Sequence, residues 1–86
     1  YARSVMIISS RPEEVSRHIV QDMGRGATAV PARGVYTNET REVLYTVVSP
    51  KEIGTLIEVV KEIDPRAFVI VNNVHEVLGE GFRGRI

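Results

Sequence analysis

Glycine and arginine occur together at two places where this chain could hold an anion. Gly24, Arg25 and Gly26 precede Ala27 and Thr28, and the end of the chain carries His75, Glu76, Gly79, Gly81 and Arg83. Glycines in such a turn let successive backbone amides converge into an anion-binding concavity. A guanidinium adds a planar fork suited to phosphates or carboxylates. Thr28 would complete the first cradle, and Arg33 is a further candidate cation on the following segment. The plainer reading of the same residues is a glycine cap after a helix and a glycine-rich end.

Other chemistry has little to work with. The chain contains no cysteine, so thiolate catalysis, disulfides and thiolate zinc sites are excluded. Its only histidines are His18 and His75, neither spaced from a second histidine as in a helical metal motif. A serine triad needs a buried acid orienting a histidine beside the nucleophile, and no such trio is legible. No enzymatic activity, metal or cofactor is therefore expected. A formal net charge of zero argues against general attraction to nucleic acid or anionic membrane. Single-stranded RNA recognition on a sheet needs several exposed aromatics on the inner strands, where only Tyr45 is available. No stretch approaches the roughly 18 apolar residues of a membrane span.

The elements that would position these residues follow from hydrophobic spacing. Ser4–Ser9 reads as a short buried strand. Ser10 and Glu13 form a capping-box pattern with Pro12 in the first helical turn, and Val15, Ile19 and Met23 give one apolar helix face. Gly24 ends that helix. Ala27–Thr37 reads as an extended segment broken by Pro31 and Gly34, hence an edge strand or a bulged one. A short turn at Asn38–Thr40 leads to a strand over Glu42–Val48, making a hairpin. Ser49-Pro50-Lys51-Glu52 repeats the cap, and Ile53, Leu56, Ile57, Val60 and Ile63 mark a second amphipathic helix that Asp64-Pro65 stops. Ala67–Val71 is the last strand, closed by Asn72 and Asn73. The order β-α-β-β-α-β, in two similar halves, predicts an α+β ferredoxin-like sandwich: a four-stranded antiparallel sheet with both helices on one face. With 86 residues the chain makes one small domain.

Both faces of that sheet read as apolar. Val5 and Ile7 alternate with Met6 and Ile8; Leu44 and Val48 with Val43, Tyr45 and Val47; Val69 and Val71 with Phe68 and Ile70. Two helices can cover only one face. The other is expected to meet another subunit or another domain, and self-association through the sheet, as a dimer or a trimer, is the expectation.

The stretch GRGATAVPARGVYT, followed by S-P-K-E and by N-x-V-H-E-V-L-G-E-G-F, resembles the small C-terminal domain, of unknown function, in YitT-type bacterial multi-pass membrane proteins. The resemblance runs over essentially the whole chain and is most specific at Gly24–Thr37 and Val74–Phe82. It implies a domain taken from the C-terminus of a larger membrane protein, on the cytoplasmic side of the membrane, with an attached transmembrane portion. The start at Tyr1 rather than methionine fits that expectation. The domain is similar in fold to PII signalling and CutA-type proteins, which assemble through their sheets and bind nucleotides or other small anions between subunits. Their long loop between the second and third strands has no counterpart in the short turn here. Three functions follow as expectations: a regulatory domain binding a small anion at a subunit cleft, a pure oligomerisation module, or an amino-acid-binding domain of the ACT type.

Overall fold

Alternating strand patterns and two amphipathic stretches fold, in the computed structural model, into one sheet with a helical layer; residues 1–78 are described. Strand β1 spans Ala2–Ile8, helix α1 Pro12–Arg17 and strand β2 Thr28–Arg33. Strand β3 spans Thr40–Val48, helix α2 Ile53–Ile63 and strand β4 Phe68–Val74. The strands lie in the order β2-β3-β1-β4 and every neighbouring pair is antiparallel. This is the ferredoxin-like arrangement expected from the element order, with β2, the proline-bearing strand, at an edge.

The core lies between sheet and helices. Val5, Ile7, Leu44 and Val48 from the sheet meet Val15 and Ile19 from the first helical segment and Leu56 and Val60 from α2, all fully buried or nearly so. Each such aliphatic contributes about 1.5–3 kcal/mol by leaving water. Ala67 closes the core where α2 turns into β4.

Several boundaries differ from the sequence reading. Strand β4 continues through Asn72 and Asn73 to Val74 because β1 begins at Ala2 and pairs with it throughout, Ala2 opposite Val74. The hairpin loop is Gly34–Glu39 rather than Asn38–Thr40. Gly34 donates its N–H to the Glu39 carbonyl at 2.8 Å, and Asn38 returns its own to the Gly34 carbonyl at 2.7 Å with a left-handed φ of 61°. Thr40 already belongs to β3.

The two serine-glutamate caps behave differently. At α2 the box forms: the Glu52 carboxylate accepts the Ser49 backbone N–H at 2.9 Å and its hydroxyl at 3.0 Å. At α1 it does not, and Arg11 occupies the capping position without a side-chain bond. Ser9 and Ser10 are instead drawn to the carboxylate of Asp64, which accepts both hydroxyls and the Ser10 amide that the box would have offered to Glu13. The first helical segment also widens into a π-helical turn at His18–Asp22, closed by Met23 N–H to the His18 carbonyl at 3.1 Å. Met23 is thus a cap residue only partly buried against the core.

Gly24 then reverses the chain at φ +66°, and the Arg25 N–H returns to the Ile19 carbonyl at 3.0 Å. An added Cβ would meet nothing within 4 Å, so the cost of a side chain there is conformational alone. Gly24→Ala is expected to lower stability by about 1 kcal/mol, read as a fall in the urea midpoint with an unchanged slope.

Candidate functional site

Pairing registers place the outward-facing residues of the sheet in continuous cross-strand rows. Val30, Val43, Ile8 and Phe68 stand side by side across β2, β3, β1 and β4. The next row is Thr28, Tyr45, Met6 and Ile70. Directly opposed side chains on one face touch, so seven apolar residues form a single patch. Phe68 is 69% exposed and Tyr45 41%. The alternation anticipated two apolar faces, and the structure assigns Met6, Ile8, Val43, Tyr45, Val47, Phe68 and Ile70 to the face without helices.

The anion cradle looks different. Gly24 is a helix cap, and the Gly26 carbonyl accepts the Thr46 hydroxyl at 2.7 Å. Thr28 begins β2 on the open face, exposed. Arg25 is buried, its side chain only 9% exposed, and its fork grips Glu52: Nε to Oε1 at 3.0 Å and to Oε2 at 3.1 Å, with the terminal nitrogen on Oε1 at 2.7 Å. A carboxylate of its own chain therefore occupies the guanidinium that the sequence offered to a ligand. Arg33 lies at the far end of β2, donating to the Asn38 side chain at 2.9 Å. His75 packs edge-on against Tyr1, ring centres 4.4 Å apart, just past the β4 edge, and Glu76 is exposed beside it. His75 and the Gly24–Thr28 turn thus share one end of the sheet but sit at opposite edges, with Arg33 at the other end. Gly79, Gly81 and Arg83 lie outside the described residues.

His18 is more enclosed than a solvated boundary residue. Its Nδ1 lies 2.8 Å from the Asp22 carboxylate, and Nε2 is buried without a hydrogen-bond partner among the described residues. No group of three potential metal ligands occurs among the described residues.

Two carboxylates anchor the ends of α2. Burial works against the charge on Glu52, yet bonds from Arg25 and Ser49 together hold its carboxyl below the ordinary value. Asp64 accepts the Ser10 amide at 3.0 Å, the Ser9 hydroxyl at 2.8 Å and the Arg66 amide at 3.1 Å, which bring its carboxyl from an ordinary 3.8 down to about 2. Near Asp64, Arg41, Arg66 and Tyr36 gather at one end of the sheet. Spacing did not flag them; the signal was arginine and aromatic residues bracketing the hairpin loop and the Asp64-Pro65 stop.

With this geometry in hand, comparison with known proteins identifies the family. The model for "Uncharacterized protein conserved in bacteria (DUF2179)" matches residues 25–79. The chain belongs to the DUF2179 family. It is 47% identical over 83 residues to "Uncharacterized protein in cccA 5'region" of Bacillus sp. (strain PS3), covering 96% of this chain and 55% of that protein. It is 46% identical over 81 residues to "UPF0750 membrane protein YpjC" of Bacillus subtilis (strain 168), covering 94% of this chain and 28% of the relative. YitT of the same organism is also a relative, which bears out the resemblance read from the sequence. The crystal structure of a DUF2179 protein from Eubacterium ventriosum superposes with a TM-score of 0.72 at 29% identity, covering 84% of this chain and 99% of that one. The chain spans little more than half of the PS3 protein and under a third of the named membrane proteins. Among the described residues, no helix is long and apolar enough to cross a membrane.

Three variants test these roles. Because the folded-state pKa values of Asp64 and Glu52 are depressed, their stabilisation is complete above the unfolded carboxylate range and is lost as pH falls through the folded values. For Asp64 that window runs from 3.8 to about 2, and Asp64→Asn should flatten the decline in urea midpoint across it. Arg25→Ala should cost about 2 kcal/mol, since it strips charge-assisted bonds from Glu52. The exposed Arg33→Ala should cost under about 0.5 kcal/mol in the same denaturation assay.

Proposed function

We propose that this domain is a non-catalytic assembly module of a UPF0750-type membrane protein, acting on the cytoplasmic side and joining copies of itself through the open face of its sheet. The observation that carries this reading is the apolar patch of two adjacent rows, one running across all four strands and the next across β3, β1 and β4. Monomeric soluble proteins rarely leave so continuous an apolar surface in water. The relatives' description as membrane proteins supports an attached membrane portion, which such a module would hold in register with its neighbours. Polar residues frame the patch: Arg41 borders it at one end, and Ser4 and Asn72 interrupt the row beyond Met6. That frame resembles the polar rim around an interface core.

Sensing of a small anion at the Gly24–Thr28 turn receives less support, because Arg25 is engaged with Glu52. Assembly and sensing differ in what they require of Arg25, and only assembly leaves it a structural role.

Light scattering on the 86-residue chain tests the reading. The expected result is a dimer or trimer mass, reduced to that of a monomer in Phe68→Asp/Ile70→Lys with an unchanged far-UV circular dichroism spectrum. A wild-type chain that stays monomeric across the micromolar range would overturn it.

A further inference from the structure

At the end of the sheet away from Ala2 and Val74, three turns enclose a groove of about 540 Å³. That volume lies in the range of small-molecule sites, roughly 300–1,000 Å³. Its floor is built by Asp64, whose Oδ2 accepts Ser9 Oγ, the Ser10 amide and Ser10 Oγ, while Oδ1 accepts the Arg66 amide. One carboxylate thereby stitches the β1–α1 turn to the α2–β4 turn. The hairpin loop forms the facing wall, its tip fixed by the Gly34–Glu39 and Asn38–Gly34 backbone bonds.

The lining is chemically two-sided. Phe68, Ile8 and Val35 give it apolar surface, and Tyr36 is fully exposed beside them. Against these stand two guanidiniums. Arg66 makes no side-chain hydrogen bond or ion pair among the described residues, and Arg41 reaches only Glu39, at a loose 3.6 Å. The one carboxylate among the described lining residues, Asp64, has its oxygens occupied by serine and backbone donors. Among the described residues the lining therefore sets two guanidiniums against one carboxylate, with Arg66 unpaired and Arg41 only loosely held, unlike the fully engaged Arg25.

We propose that this groove binds a small molecule combining a planar ring with an oxyanion. Arg41 and Arg66 take the phosphate or carboxylate, and Tyr36 and Phe68 flank the ring. Guanidinium forks fit either oxyanion, and aromatic side chains supply a flat apolar surface. Every residue of the site comes from one chain, and two of them, Ile8 and Phe68, also belong to the open sheet face.

The test titrates the isotope-labelled chain with naphthyl phosphate and naphthoate by NMR, using naphthol and inorganic phosphate as the separate halves. Saturable binding of at least one naphthyl anion is expected, with shift changes centred on Ile8, Tyr36 and Phe68. The bound probe distinguishes a phosphate site from a carboxylate site. Each half alone should bind about tenfold more weakly or less, and Arg66→Ala, Arg41→Ala and Tyr36→Ala should each weaken the anion about tenfold. None of these three residues belongs to the apolar rows, so the mass in solution should not change. Absence of saturable binding by both anions, or affinity untouched in the two arginine variants, would overturn the proposal.

Discussion

The Glu52 carboxylate is the point through which the two halves of the chain are tied together. It closes the cap of α2 by accepting Ser49, and it neutralises Arg25, which arrives from the turn between the first helical segment and β2. Removing Glu52 would leave the Arg25 charge in a place from which water is largely excluded, the costly situation for an ion pair. At the other end of α2, Asp64 reaches back to Ser9 and Ser10. The helix that supplies Leu56 and Val60 to the core is therefore held at both poles by carboxylates bonded to the first half of the chain. In so small a domain, polar ties of this kind fix the orientation that a modest apolar core alone would leave loose.

Much of this was legible beforehand, and the limits are instructive. Hydrophobic spacing located every strand and both helices, since burial on one face imposes a period that few other sequences satisfy. It also identified the second apolar face on β1, β3 and β4, because alternation along a strand leaves no freedom about which side a residue takes, but it did not extend that face to Val30 of β2. Local patterns fared less well where a distant group competed. Ser10 and Ser49 occupy matching S-x-x-E patterns, but only Ser49 caps a helix, because Asp64 lies beside Ser10 in space and not in sequence. Arg25 shows the same limit for function. Its neighbours suggested an exposed cradle, and nothing nearby in sequence announced Glu52, twenty-seven residues on.

The contrast between Arg25 and Arg66 shows what distinguishes a structural arginine from an available one. Both flank a chain reversal, and both sit at the end of a helix. Arg25 turns inward onto a carboxylate and is buried, whereas Arg66 contributes only its backbone N–H to Asp64 and leaves its guanidinium outside. Membership in the DUF2179 family and kinship with UPF0750 membrane proteins set the context in which such surfaces operate. The open sheet face and the loop-end groove adjoin through Ile8 and Phe68, which belong to both. Whatever seats itself on the sheet therefore borders the groove as well.

The pairing of Ala2 with Val74 carries a mechanical meaning. The chain enters by β1 and leaves by β4 at the same end of the sheet, on adjacent antiparallel strands one spacing, about 4.8 Å, apart. Tension applied between those two points would load the β1–β4 ladder one rung at a time, as a zipper is opened, instead of shearing all its hydrogen bonds together. A pull between those two points therefore opens first the seam that carries Ile70 and Phe68.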